Sequence, residues 1–392
     1  MASVSLSGGQ RRWPITAGAP RRSSIFIIRA PSFSGGDTGV TPLTNQPDFF
    51  SIDTYDYQLP PELIAQIPVE PRDHCRLLAL RRSDGALFHQ HFYDILQWFR
   101  PGDVLVRNDT RVMAARIAGV KEGGTAQCEI LLLRPEDERE TRWEALVRPG
   151  RRLPEGTGVR LPDGTVAVIG EVKSDDGVRS VAFPAGCDVR ALAEANGTMP
   201  LPPYIHERSS RPEDYQTVYS KDPRSAAAPT AGLHFTPGLL QKIADMGVDI
   251  ADITLEVGLG TFRPVKTDDI RQHQMHSERC VIPQKAYDMI MAAKKRGGRV
   301  IAVGTTVVRT LEGMCAAHGE LRPGPLETEI FIYPGFRYKA VDALITNFHL
   351  PKSTLVMLVA AFAGYDNIMK AYAEAVKERY RFFSFGDAML IV

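Results

Sequence analysis

The sequence predicts an α/β protein interrupted by a small all-β module, and three observations predict it. From Arg111 to about Tyr204 the chain is made of short apolar runs, CEILLLR, WEALVR and TVAVIGEV, separated by GG, PG, PDG and SDDG turns. That is the pattern of a small barrel. After Tyr204 strand-like runs alternate with helical periodicity, which reads as α/β. Finally, YDYQLPPELI (55–64) and GDVLVRNDT (102–110) have the same α/β character ahead of the module. The module is therefore read as an insertion, giving a discontinuous main domain at 53–108 plus 204–392 and an inserted domain at 109–203.

The elements follow from local punctuation. Residues 1–52 are rich in Ser, Gly, Pro and Arg without periodicity and are expected to be a disordered leader. An arginine-rich, acid-poor start also fits an organelle transit peptide, and two Arg-Arg pairs before IFII faintly resemble an export signal whose apolar run is too short. Thr236 is placed to cap a helix opened by Pro237, carried by Leu239, Leu240 and Ile243 and stopped at Gly247. The strand VDIADITLEV follows. A helix at 283–296 ends at Gly297-Gly298 with basic residues in its last turn, where they suit the helix dipole. The strand RVIAV (299–303) comes next. Asp366 is expected to cap a last helix whose Ile368, Ala371, Tyr372, Ala375 and Val376 form a core-facing stripe.

With 392 residues, 44% apolar and 24% charged, the chain can bury two sizeable cores. No apolar window approaches the length of a spanning helix, since LVMLVAAFAG (355–364) is far too short, so a soluble, cytoplasmic protein is expected. Five scattered cysteines without a CxxC pair point to free thiols in a reducing compartment and against a zinc or iron–sulfur site. The net charge of +1 is carried by the arginines of the leader, which leaves the body slightly acidic. Such a body needs a local basic surface to hold RNA.

The chemistry-bearing residues cluster where apolar strands run into Gly, Thr, His and charged residues. VGTTVVRT puts Gly304, Thr305 and Thr306 at a strand-to-helix junction, with Arg309 one turn on. Free N–H groups and hydroxyls there suit a carboxylate, phosphate or ribose; an ordinary capped helix with a solvated Arg309 explains the spacing equally well. EVGLGTF carries Gly258, Gly260 and Thr261 after a strand, but the helix of a dinucleotide fingerprint is missing, so it reads as a loop that lets backbone approach a nucleoside. APTAGLHF places Thr230 and Gly232 beside His234, which is either a base or sugar-binding group or a satisfied core histidine. HQMHSE holds His273, His276 and Glu278. No third spaced ligand supports a metal, and His276 with Glu278 is either an acid–base pair or a paired surface loop. NDTR and NFHLPKST supply Asn108, Asp109, Arg111, Asn347, His349 and Lys352, able to hold ribose, amine or carboxylate groups, though turn chemistry accounts for much of this. In YPGFRYK, Phe336, Arg337 and Lys339 combine stacking surface with charge, as an RNA-facing edge would; buried strand aromatics are the rival.

Taken together and in this order, from about Asp53 to Val392, these motifs resemble the S-adenosylmethionine:tRNA ribosyltransferase-isomerase family of queuosine biosynthesis. The resemblance implies an α/β barrel-like main domain with an inserted small β-barrel domain. It also implies transfer and isomerisation of the ribose moiety of S-adenosylmethionine onto 7-aminomethyl-7-deazaguanine (preQ1) at the tRNA wobble position, giving epoxyqueuosine, adenine and methionine. S-adenosylmethionine is then a co-substrate, tRNA the partner, no metal or other cofactor is needed, and a monomer is expected. On this reading His234, His276 and Glu278 are the catalytic group, and Asp109, Arg111, Thr230, Gly232, Gly258, Gly260, Thr261, Thr305, Thr306, Arg309, Asn347, His349 and Lys352 bind substrate. Family members more often carry His at the place of Glu256. Two rivals stay open: an S-adenosylmethionine-dependent RNA methyltransferase, which should carry a Gly-rich first turn, and a noncatalytic RNA-binding module, which should show a strongly basic face.

Overall fold

The computed structural model describes residues 47–174, 177–201, 204–205, 211–258, 265 and 267–392. The expected leader up to residue 46, Gly260 and Thr261 lie outside the described residues. Packed structure begins ahead of residue 53: Ser51 bridges to Asp269, and the Ile52 N–H bonds the Asp268 carbonyl at 2.9 Å.

The chain opens with β1 (Arg76–Arg81) and β2 (Ala86–His91), a 3-10 helix at Phe92–Trp98, β3 (Val104–Asn108) and a short β4 (Arg111–Val112). Next come β5 (Arg116–Lys121), β6 (Gln127–Pro135), β7 (Arg142–Arg148), β8 (Gly158–Arg160), β9 (Val166–Val172) and β10 (Val178–Ala182), closed by α1 (Val189–Asn196) and β11 (Gly197–Thr198). The remainder is β12 (Pro223–Ser225), α2 (Pro237–Asp245), β13 (Asp249–Leu255), β14 (Glu278–Ile282), α3 (Gln284–Lys295), β15 (Val300–Val303) and α4 (Thr305–His318). It ends with β16 (Gly324–Thr328), β17 (Ala343–Asn347), α5 (Thr354–Ala363), α6 (Tyr365–Lys377) and β18 (Ala388–Ile391).

The fold is mixed α/β with a closed barrel. Six strands run β5-β6-β7-β10-β9-β8, and β8 pairs back to β5 to close the ring, with β11 added on β5. All of these strands come from the Arg116–Thr198 stretch, and their inward positions, among them Ile117, Ile130, Trp143, Val159, Ile169 and Val181, fill one core. Closure removes sheet edges and leaves alternate residues pointing outward. The larger sheet has nine strands in the order β16-β14-β13-β3-β15-β17-β18-β1-β2. Its centre, β13-β3-β15-β17, is parallel. Alternate residues of these strands enter two cores: Val104, Val106, Val300 and Ala302 pack under α3 to α6, while Leu105, Ile301 and Val303 pack under α2 and the Phe92–Trp98 helix. A sheet covered on both faces requires such continuous apolar runs.

Local punctuation and structure agree at most element ends. The Thr236 hydroxyl accepts the Leu239 N–H at 3.2 Å and Gly247 takes a φ of 80° after α2. Asp366 differs: α6 starts from Gly364 at φ 88°, a conformation that favours glycine, and Asp366 sits in the first turn instead. Of its expected stripe Ile368, Ala371, Tyr372 and Ala375 are buried, while Val376 is half-buried against the same core.

Candidate active site

Because β13, β3, β15 and β17 run parallel, their carboxyl ends lie on one edge of the sheet, where open α/β folds take their ligands. Two neighbouring spaces open there. A small pocket of about 50 Å³ is walled by Pro229, Thr230 and Ala231, by Gly304, Thr305 and Thr306 after β15, by Thr346, Asn347 and His349 at the end of β17, and by Phe383 and Ser384. A cleft of about 820 Å³ runs between this edge and the barrel, lined by Gly258, His276, Ser277, Glu278 and Arg279 on one side and Arg134, Arg142, Glu144, Glu171 and Lys173 on the other. Val257 lines both.

One wall of the pocket is the start of α4. Its N-cap is Gly304, which has no side chain to cap the helix and takes a φ of 88°. The next backbone donor with an intrahelical acceptor is Val308, bonded to the Gly304 carbonyl at 3.4 Å. The N–H groups of Thr305 and Thr306, on the pocket wall, therefore lack intrahelical acceptors and sit at the positive end of the helix dipole. Thr306 is buried and its hydroxyl has no hydrogen-bond partner among the described residues. One turn on, Arg309 is buried as well. Its Nη1 lies 3.1 Å from Glu278 Oε2, and its Nε and Nη2 have no partner among the described residues. A helix start, a free hydroxyl and an incompletely matched guanidinium together suit an anionic group.

A buried hydrogen-bond chain holds the opposite wall. Asn347 Nδ2 donates to the Phe383 carbonyl at 3.1 Å and to His234 Nε2 at 3.0 Å, and its Oδ1 accepts the Thr230 hydroxyl at 3.0 Å. With Nε2 accepting, the proton sits on His234 Nδ1, which turns toward Cys75 Sγ at 3.2 Å. Burial, with Arg381 and Arg72 nearby, pulls His234 down to about 3, so it stays neutral. Both ring nitrogens are occupied and the ring does not line the pocket, whereas its partners Asn347 and Thr230 do. His349 is on the pocket wall. Its Nε2 meets the Thr346 hydroxyl at 2.9 Å, its N–H donates to Tyr372 Oη at 3.0 Å, and Tyr57 donates to its carbonyl. Burial lowers His349 to about 3.

Glu278 is buried against Arg309, while His276 is exposed on the cleft. Glu256 faces the same cleft, 3.7 Å from Arg224. No group of three His, Cys, Asp or Glu able to hold a metal occurs among the described residues.

Other residues singled out from the sequence lie elsewhere. Asp109 accepts the Thr254 hydroxyl at 2.7 Å and pairs with Lys221 at 3.0 Å, within a cluster completed by Asp252 and Arg107. Arg111 reaches Ser220 at 3.3 Å, and Lys352, at φ 54°, pairs with Asp53 at 2.8 Å and Asp56 at 3.2 Å. None of the three lines either space. Gly232 is required by packing: a Cβ there would stand 2.0 Å from Tyr219 Oη. Phe336 packs edge-on against Tyr338, with Arg337 and Lys339 exposed beside it, away from the cleft lining.

The model of a family described as queuosine biosynthesis protein matches residues 52–391. The S-adenosylmethionine:tRNA ribosyltransferase-isomerase of Symbiobacterium thermophilum is 55% identical over 338 residues, 86% of this chain and 98% of that protein. The protein of the same name from Synechococcus elongatus is 51% identical over 352 residues, 88% of this chain and 97% of that one. A crystal structure of S-adenosylmethionine tRNA ribosyltransferase from Thermotoga maritima is similar with a TM-score of 0.51 at 40% identity, covering 86% of this chain and 100% of that chain.

The chain belongs to the queuosine biosynthesis family. It is an enzyme of the transferase-isomerase class, and neither the methyltransferase nor the noncatalytic alternative is favoured by these relatives. Among described residues, no helix of this queuosine-family enzyme is long and apolar enough to cross a membrane. Its cysteines are free thiols, buried except for half-buried Cys187. Sequence reasoning missed the barrel side of the cleft. The alternation of charged and apolar residues in RWEALVR (142–148) was a signal available for Arg142 and Glu144; nothing local marked Cys75, Phe383 or Ser384.

Proposed function

We propose that this chain transfers the ribosyl part of S-adenosylmethionine to the aminomethyl group of 7-aminomethyl-7-deazaguanine at the wobble position of tRNA and rearranges it to the epoxycyclopentanediol of epoxyqueuosine. Membership of the family supports this reading, and the uncapped start of α4 is the structural observation that carries it. The methionine carboxylate is taken by the Thr305 and Thr306 end of α4, backed by Arg309. The sulfonium acidifies the adjacent 5′-carbon, so a modest base can remove a proton there and adenine can leave. The amine then attacks and methionine departs. No metal or resident cofactor is called for in this sequence of steps.

His276 stands on the cleft side, where a wobble base would enter, and takes the acid–base role. The Glu278–Arg309 pair orients the groups around it. His349, neutral on the pocket wall, hydrogen-bonds the nucleoside. His234 is a positioning residue: it accepts from Asn347 and so fixes the amide that meets the substrate. The cleft and pocket are walled by one chain, which suits a monomer, and free thiols together with a tRNA substrate suit the cytoplasm.

The test is product analysis with S-adenosylmethionine and tRNA carrying the aminomethyl base. Adenine and methionine are expected in equal amounts, with release lost in His276→Ala at saturating tRNA. Formation of S-adenosylhomocysteine instead, or wild-type release from His276→Ala, would overturn the reaction or the assignment respectively.

A further inference from the structure

The barrel stretch from Arg116 to Thr198 holds ten arginines, and half of them are neutralised by a glutamate. Arg116, Arg134, Arg142, Arg160 and Arg190 each lie within salt-bridge distance of a glutamate. The turn after β7 is built the other way. Arg148, Arg151 and Arg152 are exposed and have no carboxylate partner among the described residues. Glu129, the cross-strand neighbour of Arg148, is taken by Arg116 at 2.8 Å. Even the turn's carbonyls are held by cations: Arg179 donates to the Leu153 oxygen at 2.7 Å and Lys121 to the Arg152 oxygen at 3.4 Å. Five positive charges thus share a backbone fixed in place. Packing does not call for this, because exposed, unpaired guanidinium groups contribute little to folding and repel one another.

The position of the turn has its own logic. Arg142 lines the cleft and Arg148 ends the same strand. Side chains an even number of residues apart share one face of a strand, so both point outward from the barrel. Six steps of strand separate them by about 20 Å, which is the length of about six stacked nucleotides. A nucleotide held in the cleft therefore has its flanking stem within reach of the turn.

We propose that Arg148, Arg151 and Arg152 dock the phosphate backbone of the same tRNA whose base enters the cleft; this rests on the function proposed above. The turn supplies the local basic surface that a near-neutral chain needs in order to hold RNA, and it acts on affinity, away from the chemistry.

The experiment compares wild type, the Arg148→Gln/Arg151→Gln/Arg152→Gln triple variant and the corresponding Arg→Lys triple, titrating full-length tRNA over a series of salt concentrations. The Gln triple should bind more weakly, and its plot of log affinity against log salt should be shallower by about 2 to 3, close to one for each phosphate that is no longer neutralised. The Lys triple should keep most of the slope. Adenine release at saturating tRNA, and binding of an RNA limited to the anticodon loop, should be unchanged in both. A Gln triple with the wild-type slope, or one that loses loop RNA as severely as full-length tRNA, would refute the docking site. If wild type binds tRNA with this salt dependence but releases no adenine, the reaction fails and the docking surface stands.

Discussion

At the residue scale, the hydroxyls and glycines around the pocket differ in whether the fold already uses them. The Thr306 hydroxyl has no partner among the described residues, so Thr306→Val removes no internal bond that the structure records. It is expected to raise KM for S-adenosylmethionine roughly five- to tenfold, the worth of about one hydrogen bond, while the denaturant midpoint stays within experimental error of wild type. A fall in stability with KM unchanged would assign Thr306 to the fold instead. Gly232 is the converse case. A Cβ there would meet Oη of half-buried Tyr219 at 2.0 Å and Cγ2 of buried Thr217 at 2.9 Å, so Gly232→Ala should destabilise by about 1–3 kcal/mol, seen as a lower denaturant midpoint. The sequence could show that Gly232 needs no side chain; it could not show that a tyrosine, not a ligand, fills the space. His234 teaches the same lesson. Its neighbourhood in APTAGLHF marks it as important, but only the fold shows that Cys75 and Asn347, far away in sequence, occupy both its nitrogens.

At the element scale, α4 does two tasks. Its start opens onto the pocket, and one of its later turns carries Glu312, whose carboxylate accepts the backbone N–H groups of Lys339, Ala340 and Val341 at 2.9, 2.9 and 3.0 Å. Burial raises the Glu312 pKa against the pull of those three donors. The segment carrying Arg337 and Lys339 is thereby pinned to the helix that forms the pocket wall. Glu312→Ala leaves buried N–H groups unsatisfied and should cost about 2–4 kcal/mol, with amide exchange at Ala340 and Val341, just ahead of β17, accelerated before that of the sheet. Uniform acceleration would show that the carboxylate does not act locally. Element existence was largely legible, because capping residues and periodicity are local: Thr236, Pro237 and Gly247 frame α2 as read. Strand order was not, since the pairing of β18 with both β1 and β17 joins residues more than three hundred positions apart in one case and about forty in the other. The start of α6 was misplaced by the same limit, because Asp and Gly are both acceptable N-cap residues and the Gly364 φ decides.

At the scale of the whole molecule, the site requires two histidines to be buried uncharged between the sheet edge and the segments that cover it, and this makes stability depend on pH. His234 and His349 are each lowered from 6.5 to about 3, chiefly by burial, and half-buried His273 moves in the same direction, also by burial first. A depressed histidine binds its proton in the unfolded chain before the folded one does. Its contribution to stability is therefore complete above the unfolded value of about 6.5 and is lost as pH falls toward the folded value. Each of the two approaches a slope of about 1.4 kcal/mol per pH unit below the unfolded value, so about 3 kcal/mol should disappear between about pH 6.5 and 5. Asp103 adds to the loss only at lower pH. Burial opposes its ionisation, but bonds from Arg299 and from the N–H groups of Arg299 and Arg100 outweigh that and hold it below the usual carboxylate range. The expected result is a urea midpoint that drops steeply from neutral to mildly acidic pH in wild type. The drop should be largely abolished in a His234→Gln/His349→Gln variant, whose stability at neutral pH is itself reduced. A wild-type midpoint that stays level down to pH 5 would mean that these imidazoles protonate in the folded protein, and with that the neutral, hydrogen-bond-accepting His234 that fixes Asn347 would be lost.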